Sequence, residues 1–197
     1  MLTTDKITEI YCIADDFCKE YTKELSKRPN LPNSAKRQRN RSGNMSDSEI
    51  MTILLMFHFG SFRNFKHYYL HYIGVHLRDD FPRQLSYNRF IEIEHKVFAS
   101  MMFFLNVVCF GQCTGITFVD STKICVCRNK RIKRNKVFDG IAQVGKSTMG
   151  WFYGFKLHLV CNDKGELLSF CLTPGNVDDR DQQTLKTLTK NLFGKLF

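Results

Sequence analysis

GITFVDST, from Gly115 to Thr122, is an apolar run that delivers an aspartate, and LTPGNVDDRD, from Leu172 to Asp181, is a second that delivers an aspartate pair. Between them lie a basic loop, RNKRIKRNK (Arg128–Lys136), a small-residue loop, GKSTMG (Gly145–Gly150), and an alternating run, WFYGFKLHLVCND (Trp151–Asp163). From Gly115 the period is that of a strand: Ile116, Phe118 and Asp120 share one face, Thr117 and Val119 the other. Strands that end in carboxylates hold them rigidly at a sheet edge, which suits a hard divalent cation. Basic loops beside such a site suit a phosphate-rich substrate. The stretch reads as part of a metal-dependent nucleic-acid enzyme.

The first strand is expected to run to about Cys127, with Cys125 and Cys127 on one face. Arg128, Lys130, Arg131, Lys133, Arg134 and Lys136 crowd the loop that follows, which must be exposed and is a candidate phosphate contact. In the alternating run, Phe155, Leu157, Leu159 and Cys161 face one way and Lys156 and His158 the other. Asn162-Asp163-Lys164-Gly165 predicts a hairpin turn, and Glu166–Thr173 the returning strand. Val177–Leu192 reads as a helix with Asp178, Asp179 and Asp181 near its positive N-terminal end, and Lys195-Leu196-Phe197 as the first residues of a further strand. Gly140 with Gly145-Lys146-Ser147 meets the formal spacing of a phosphate-binding loop. Such a loop must open a helix, whereas here a strand pattern follows, so Gly145–Gly150 is expected to be flexible loop rather than a nucleotide site.

Upstream the period is helical. Ile7, Ile10, Tyr11, Ala14, Phe17, Cys18, Tyr21 and Leu25 mark a helix over residues 1–26. Residues 28–44 break it with Pro29, Pro32 and Gly43, and carry the cluster Lys36, Arg37, Arg39 and Arg41. Ser46 with Glu49 makes a capping box for a second helix. Phe62–Val75 resumes helical spacing, with His67 and His71 one turn apart but lacking the glutamate of a zinc-protease motif. After the turn Asp79-Asp80-Phe81-Pro82, Ser86 starts a helix to about Cys109. Residues 46–110 thus form a small helical module, in which helix–turn–helix geometry is open but no recognition helix stands out.

The formal net charge of +10 points to an anionic partner, nucleic acid in the first place. Eight cysteines would suit a disulfide scaffold, yet the first twenty residues carry Asp5, Glu9, Asp15 and Asp16 and no apolar core of a secretory signal. No apolar run reaches the roughly 18 residues of a membrane span. Reduced thiols in the cytoplasm, buried as small hydrophobes, are expected, since no pair of Cys/His knuckles has zinc spacing.

FVDST (118–122), GKSTMGWFYGFKLHLVCNDKGELLSF (145–170) and LTPGNVDDRDQ (172–182) resemble the DDE transposases of bacterial insertion sequences, most closely the insertion-sequence 982 group; SDSEIMTILL (46–55) resembles that group's N-terminal region. The resemblance implies an α+β chain: an N-terminal helix and basic linker (1–45), a helical DNA-binding module (46–112), and an incomplete ribonuclease-H-like α/β domain (113–197). It implies Mg²⁺ or Mn²⁺ as cofactor and in-line attack on phosphodiesters of double-stranded DNA, at insertion-sequence ends and target sites. Asp120 corresponds to the first of three metal-binding carboxylates, and Asp179 to an accessory residue whose helix-capping role would suffice by itself. The settings of the second and third carboxylates are not found, so this chain alone is expected to be an inactive fragment. Arg128, Lys130, Arg131, Lys133, Arg134, Lys136 and Lys156 are the candidate DNA contacts. A homo-oligomer in a bacterial cytoplasm, associated with the nucleoid and not with a membrane, completes the expectation. The alternative is a DNA-binding-only protein that inhibits transposition.

Overall fold

The computed structural model describes residues 2–27 and 44–197, so the cluster Lys36, Arg37, Arg39 and Arg41 lies outside the described residues. The chain is mixed helix and sheet and divides into two compact units, Met1–Asn106 and Val107–Phe197.

The first unit is helical. Helix α1 (Thr4–Ser26) starts at Thr3, whose side chain accepts from Lys6 N, and buries Ile7, Ile10, Ala14 and Phe17 along one stripe. That stripe packs on α2 (Asp47–Phe59), whose capping box closes as the sequence predicts: Ser46 takes the Glu49 amide and Glu49 takes the Ser46 amide. A short α3 (Phe65–His67) runs into π-helical turns over Tyr68–His76. Tyr68 and Tyr69 are fully buried there, which is tolerable because their hydroxyls reach Ile53 O at 2.9 Å and Leu85 O at 2.8 Å. The helix expected from Ser86 to Cys109 is broken: α4 (Tyr87–Glu94) passes through a 3₁₀ turn at His95–Val97 into α5 (Phe98–Phe104) and π turns at Leu105–Cys109. Val97, Ser100 and Phe104 face the core through the break, at the three- and four-residue spacing of a helical stripe.

The second unit is a five-stranded sheet with one helix. Strand β1 (Ile116–Cys127) pairs antiparallel with β3 (Gly150–Asn162), and β4 (Leu167–Pro174) adds to the other edge of β3 through the predicted hairpin. Helix α6 (Gln182–Thr189) is shorter than expected, capped by Asp181, whose carboxylate accepts from Thr184 N at 2.8 Å. It returns the chain to β5 (Lys195–Leu196), parallel to β1. The turn before β5 needs glycine: Gly194 has φ +91°, and a Cβ there would sit 2.1 Å from Gly115 O.

Two segments differ from what the sequence predicts. Gly145–Gly150 is not flexible loop. Gln143–Ser147 forms β2, which pairs with the first residues of β3 through a tight turn at Thr148-Met149. The segment thus leads into a strand and opens no helix, so it offers no helix N-terminus for phosphate. Nor do Cys125 and Cys127 share a face. A bulge shifts the register there, setting Cys125 opposite Gly154 and Cys127 opposite Tyr153, which alternate on β3. The bulge relies on a glycine partner, because a Cβ on residue 154 would fall 2.0 Å from Ile124 O.

The sheet buries the face that the sequence writes in polar letters. Thr117, His158, Val160, Asn162 and Thr173 are buried, whereas Phe118 and Leu172 on the opposite face are 48% and 52% exposed. Each buried polar group has its partner. His158 Nε2 lies 2.9 Å from Thr173 Oγ1, and Asn162 Nδ2 donates to Gln112 O at 3.1 Å and to Glu166 Oε2 at 2.7 Å.

Candidate active site

Asp120 lies inside β1, paired with β3 on one side and three residues past Thr117, where β5 pairs on the other. Its partner across the ladder is Leu159, so its side chain leaves the exposed sheet face with Phe118 and Thr122. The carboxylate is exposed, accepts from Ser121 N at 2.7 Å and makes no ion pair among the described residues. A strand interior holds it more firmly than a loop would.

Asp179 arrives from another element. The turn after β4 carries it beside Lys156, whose ammonium lies 3.1 Å from Asp179 Oδ1 and also donates to Val177 O at 2.8 Å. Burial pushes the Asp179 carboxyl up, but the Lys156 ammonium and the Ser121 hydroxyl outweigh it, so the group sits below the ordinary carboxylate range. Lys156 is 12% exposed at its side chain and faces the buried layer with His158. Burial holds the His158 imidazole below its usual value, with Asp179 pulling up and Lys156 pushing down, so it is neutral near pH 7.

A groove of about 400 Å³ joins these parts, lined by Asp120, Ser121, Lys123, Lys146, Lys156 and Asp179 among others. Three ammonium groups and two carboxylates leave it positive. Lys123 Nζ reaches Ser147 Oγ at 3.3 Å, which ties β1 to the β2–β3 turn. Lys123 and Ser121 did not stand out in the sequence, and Lys146 did so only within the formal phosphate-loop spacing. Their signal was the strand register, legible only once β2 is known to pair with β3.

The six cations of Arg128–Lys136 lie on and beside a 3₁₀ turn, Asn129–Arg134, and all are exposed with no ion pair among the described residues. They are free to meet an anion. Lys156 is placed differently, committed to Val177 and Asp179.

Residues 110–197 match the family model described as a transposase DDE domain. The match spans just under half of the chain and covers nearly all of the sheet unit. No curated protein and no solved structure gives a match. The likeness supports a DDE transposase, a class that cuts and joins DNA.

Transposases of this type use a divalent metal. Asp120 fits a hard cation in kind, since it offers carboxylate oxygens not engaged in an ion pair. Asp179 fits less well, being paired with Lys156. Among the described residues no group of three His, Cys, Asp or Glu side chains converges, so a full cage is not assembled there. His67 and His71 lie close, with tilted rings whose centroids are 4.5 Å apart, but among the described residues no third ligand joins them.

Proposed function

We propose that the chain is a transposase of the insertion-sequence 982 type, whose sheet unit is ribonuclease-H-like and handles phosphodiesters of double-stranded DNA. The observation that carries this is Asp120, held exposed on the strand between β3 and β5 in a segment matching a transposase DDE domain. Strand order supports the fold. An antiparallel meander β1, β3, β4 is followed by a helix that returns the chain parallel to β1 on its free edge, as a ribonuclease-H-like sheet begins.

Asp120 would hold Mg²⁺ or Mn²⁺, which supplies charge neutralisation at a phosphate oxygen when bound. Arg128, Lys130, Arg131, Lys133, Arg134 and Lys136 would hold the DNA backbone. Lys156 acts one step back, fixing the turn that carries Asp179, the accessory residue. The protein works in a bacterial cytoplasm near the nucleoid, as a homo-oligomer on paired DNA ends. No described helix is long and apolar enough to cross a membrane.

A second reading, DNA binding without catalysis as an inhibitor of transposition, is favoured by the same groove. It has only two carboxylates, one of them paired with lysine. One pair of assays separates the readings. Labelled duplex is titrated at several salt concentrations, and supercoiled DNA is incubated with protein and Mg²⁺. Salt-sensitive binding is expected, with the log–log slope falling by about 0.9 for each phosphate contact removed by alanine at Lys130 or Lys133. No nicking by this chain alone is expected. Mg²⁺-dependent nicking that Asp120→Ala abolishes would establish catalysis here. Failure to bind duplex at low salt would defeat both readings.

A further inference from the structure

The β2–β3 turn carries a feature that phosphate binding leaves unused. Trp151, the single tryptophan of the chain, is 64% exposed, and Met149 at the tip is 84% exposed. An indole is among the costliest side chains to leave in water, since it brings 150–250 Å² of largely apolar surface. This one is nevertheless held in place. Trp151 pairs with Lys146 across the two-residue turn, and Lys146 Nζ stands over its ring, 5.9 Å from the centroid. Its carbonyl accepts from Asn129 Nδ2 at 3.0 Å, which ties it to the cationic 3₁₀ turn. Lys146 also lines the groove that contains Asp120.

We infer that Trp151 is a stacking platform for an unpaired nucleic-acid base, with Lys146 and the cations of Arg128–Lys136 holding the adjacent phosphates. Charge selects this occupant over an apolar protein surface. Residues 128–151 contain seven lysines and arginines against one acid, Asp139. An exposed aromatic face beside tracked backbone charge is the arrangement that binds single strands without sequence preference. The placement suits a base displaced next to the strand that enters the groove. This rests on the DNA reading above but adds a contact that reading does not require.

The single tryptophan makes the test direct. The full chain is titrated with a single-stranded oligonucleotide and with the matching duplex. Indole emission and the anisotropy of a label on the DNA are followed in parallel. Emission is expected to be quenched as anisotropy rises, more by the single strand than by the duplex. Trp151→Ala should weaken single-strand binding about 5- to 150-fold, and Trp151→Phe should recover most of it. Circular dichroism checks that both variants fold, as substitution at an exposed site allows. Binding by anisotropy with unchanged emission and no loss in Trp151→Ala overturns the stacking contact and leaves the DNA reading standing. No anisotropy change with either DNA overturns both. Emission that shifts with protein concentration alone places a second copy over Trp151 and overturns the inference.

Discussion

Lys156→Met tests whether the turn that carries Asp179 is held by one buried ammonium. The substitution keeps the aliphatic stem and removes the charge. Two interactions are lost, and they are unequal. The bond to Val177 O, at 2.8 Å, comes from a side chain 12% exposed, and a hydrogen bond to a charged group under such cover is worth about 1.5–3 kcal/mol. The pair with Asp179, at 3.1 Å, has a partner 54% exposed, so solvent screening reduces it to about 0–1 kcal/mol. The total is about 1.5–4 kcal/mol. For a unit of this size, each kcal/mol moves the midpoint by about 4–8 °C, which gives a fall of roughly 6–30 °C. Asp179→Asn removes only the screened pair and should lower the midpoint by less than about 8 °C. Scanning calorimetry of the full chain reads both variants, and only the transition of the sheet unit should move. A midpoint within about 2 °C of wild type for Lys156→Met would refute the reasoning, as would equal losses in the two variants.

Two further outcomes are expected. His158 titrates below its ordinary value of 6.5 because it is buried. Its contribution to stability is therefore complete above about pH 6.5 and is lost as pH falls through the folded value, when the unfolded chain takes up the proton first. Urea midpoints measured between pH 8 and pH 5 should fall with acid, and His158→Gln should flatten that part of the profile. Gly145→Ala should cost about 3 kcal/mol or more, since its Cβ would fall 1.9 Å from Gly175 O, a backbone atom that cannot yield cheaply. Gly140→Ala, at φ +77° in open space, should cost only about 1–2 kcal/mol. Urea denaturation of both variants checks the contrast.

The elements were legible where period and punctuation agreed. The stripe Ile7, Ile10, Ala14, Phe17 and the Ser46–Glu49 box predict α1 and α2 because local spacing dictates them. FVDST and the Trp151–Asp163 alternation likewise predict β1 and β3, with the hairpin to β4 set by Asn162–Gly165. What the residues alone determined about function was a basic chain with an aspartate inside a strand. That is chemistry for phosphate, now joined by the match of residues 110–197 to a transposase DDE domain. Tertiary structure decided the rest. Alternation separates the two sheet faces but does not say which is buried. Lys156, His158, Asn162 and Thr173 went inside because Val177 O, Gln112 O, Glu166 and one another satisfy them, and those partners are distant in sequence. The same long-range pairing folded Gly145–Ser147 into a strand, put Cys125 and Cys127 on opposite faces and set Asp179 beside Lys156. Hydrogen-bond partners far along the chain carry no local period, so only the assembled sheet could show them.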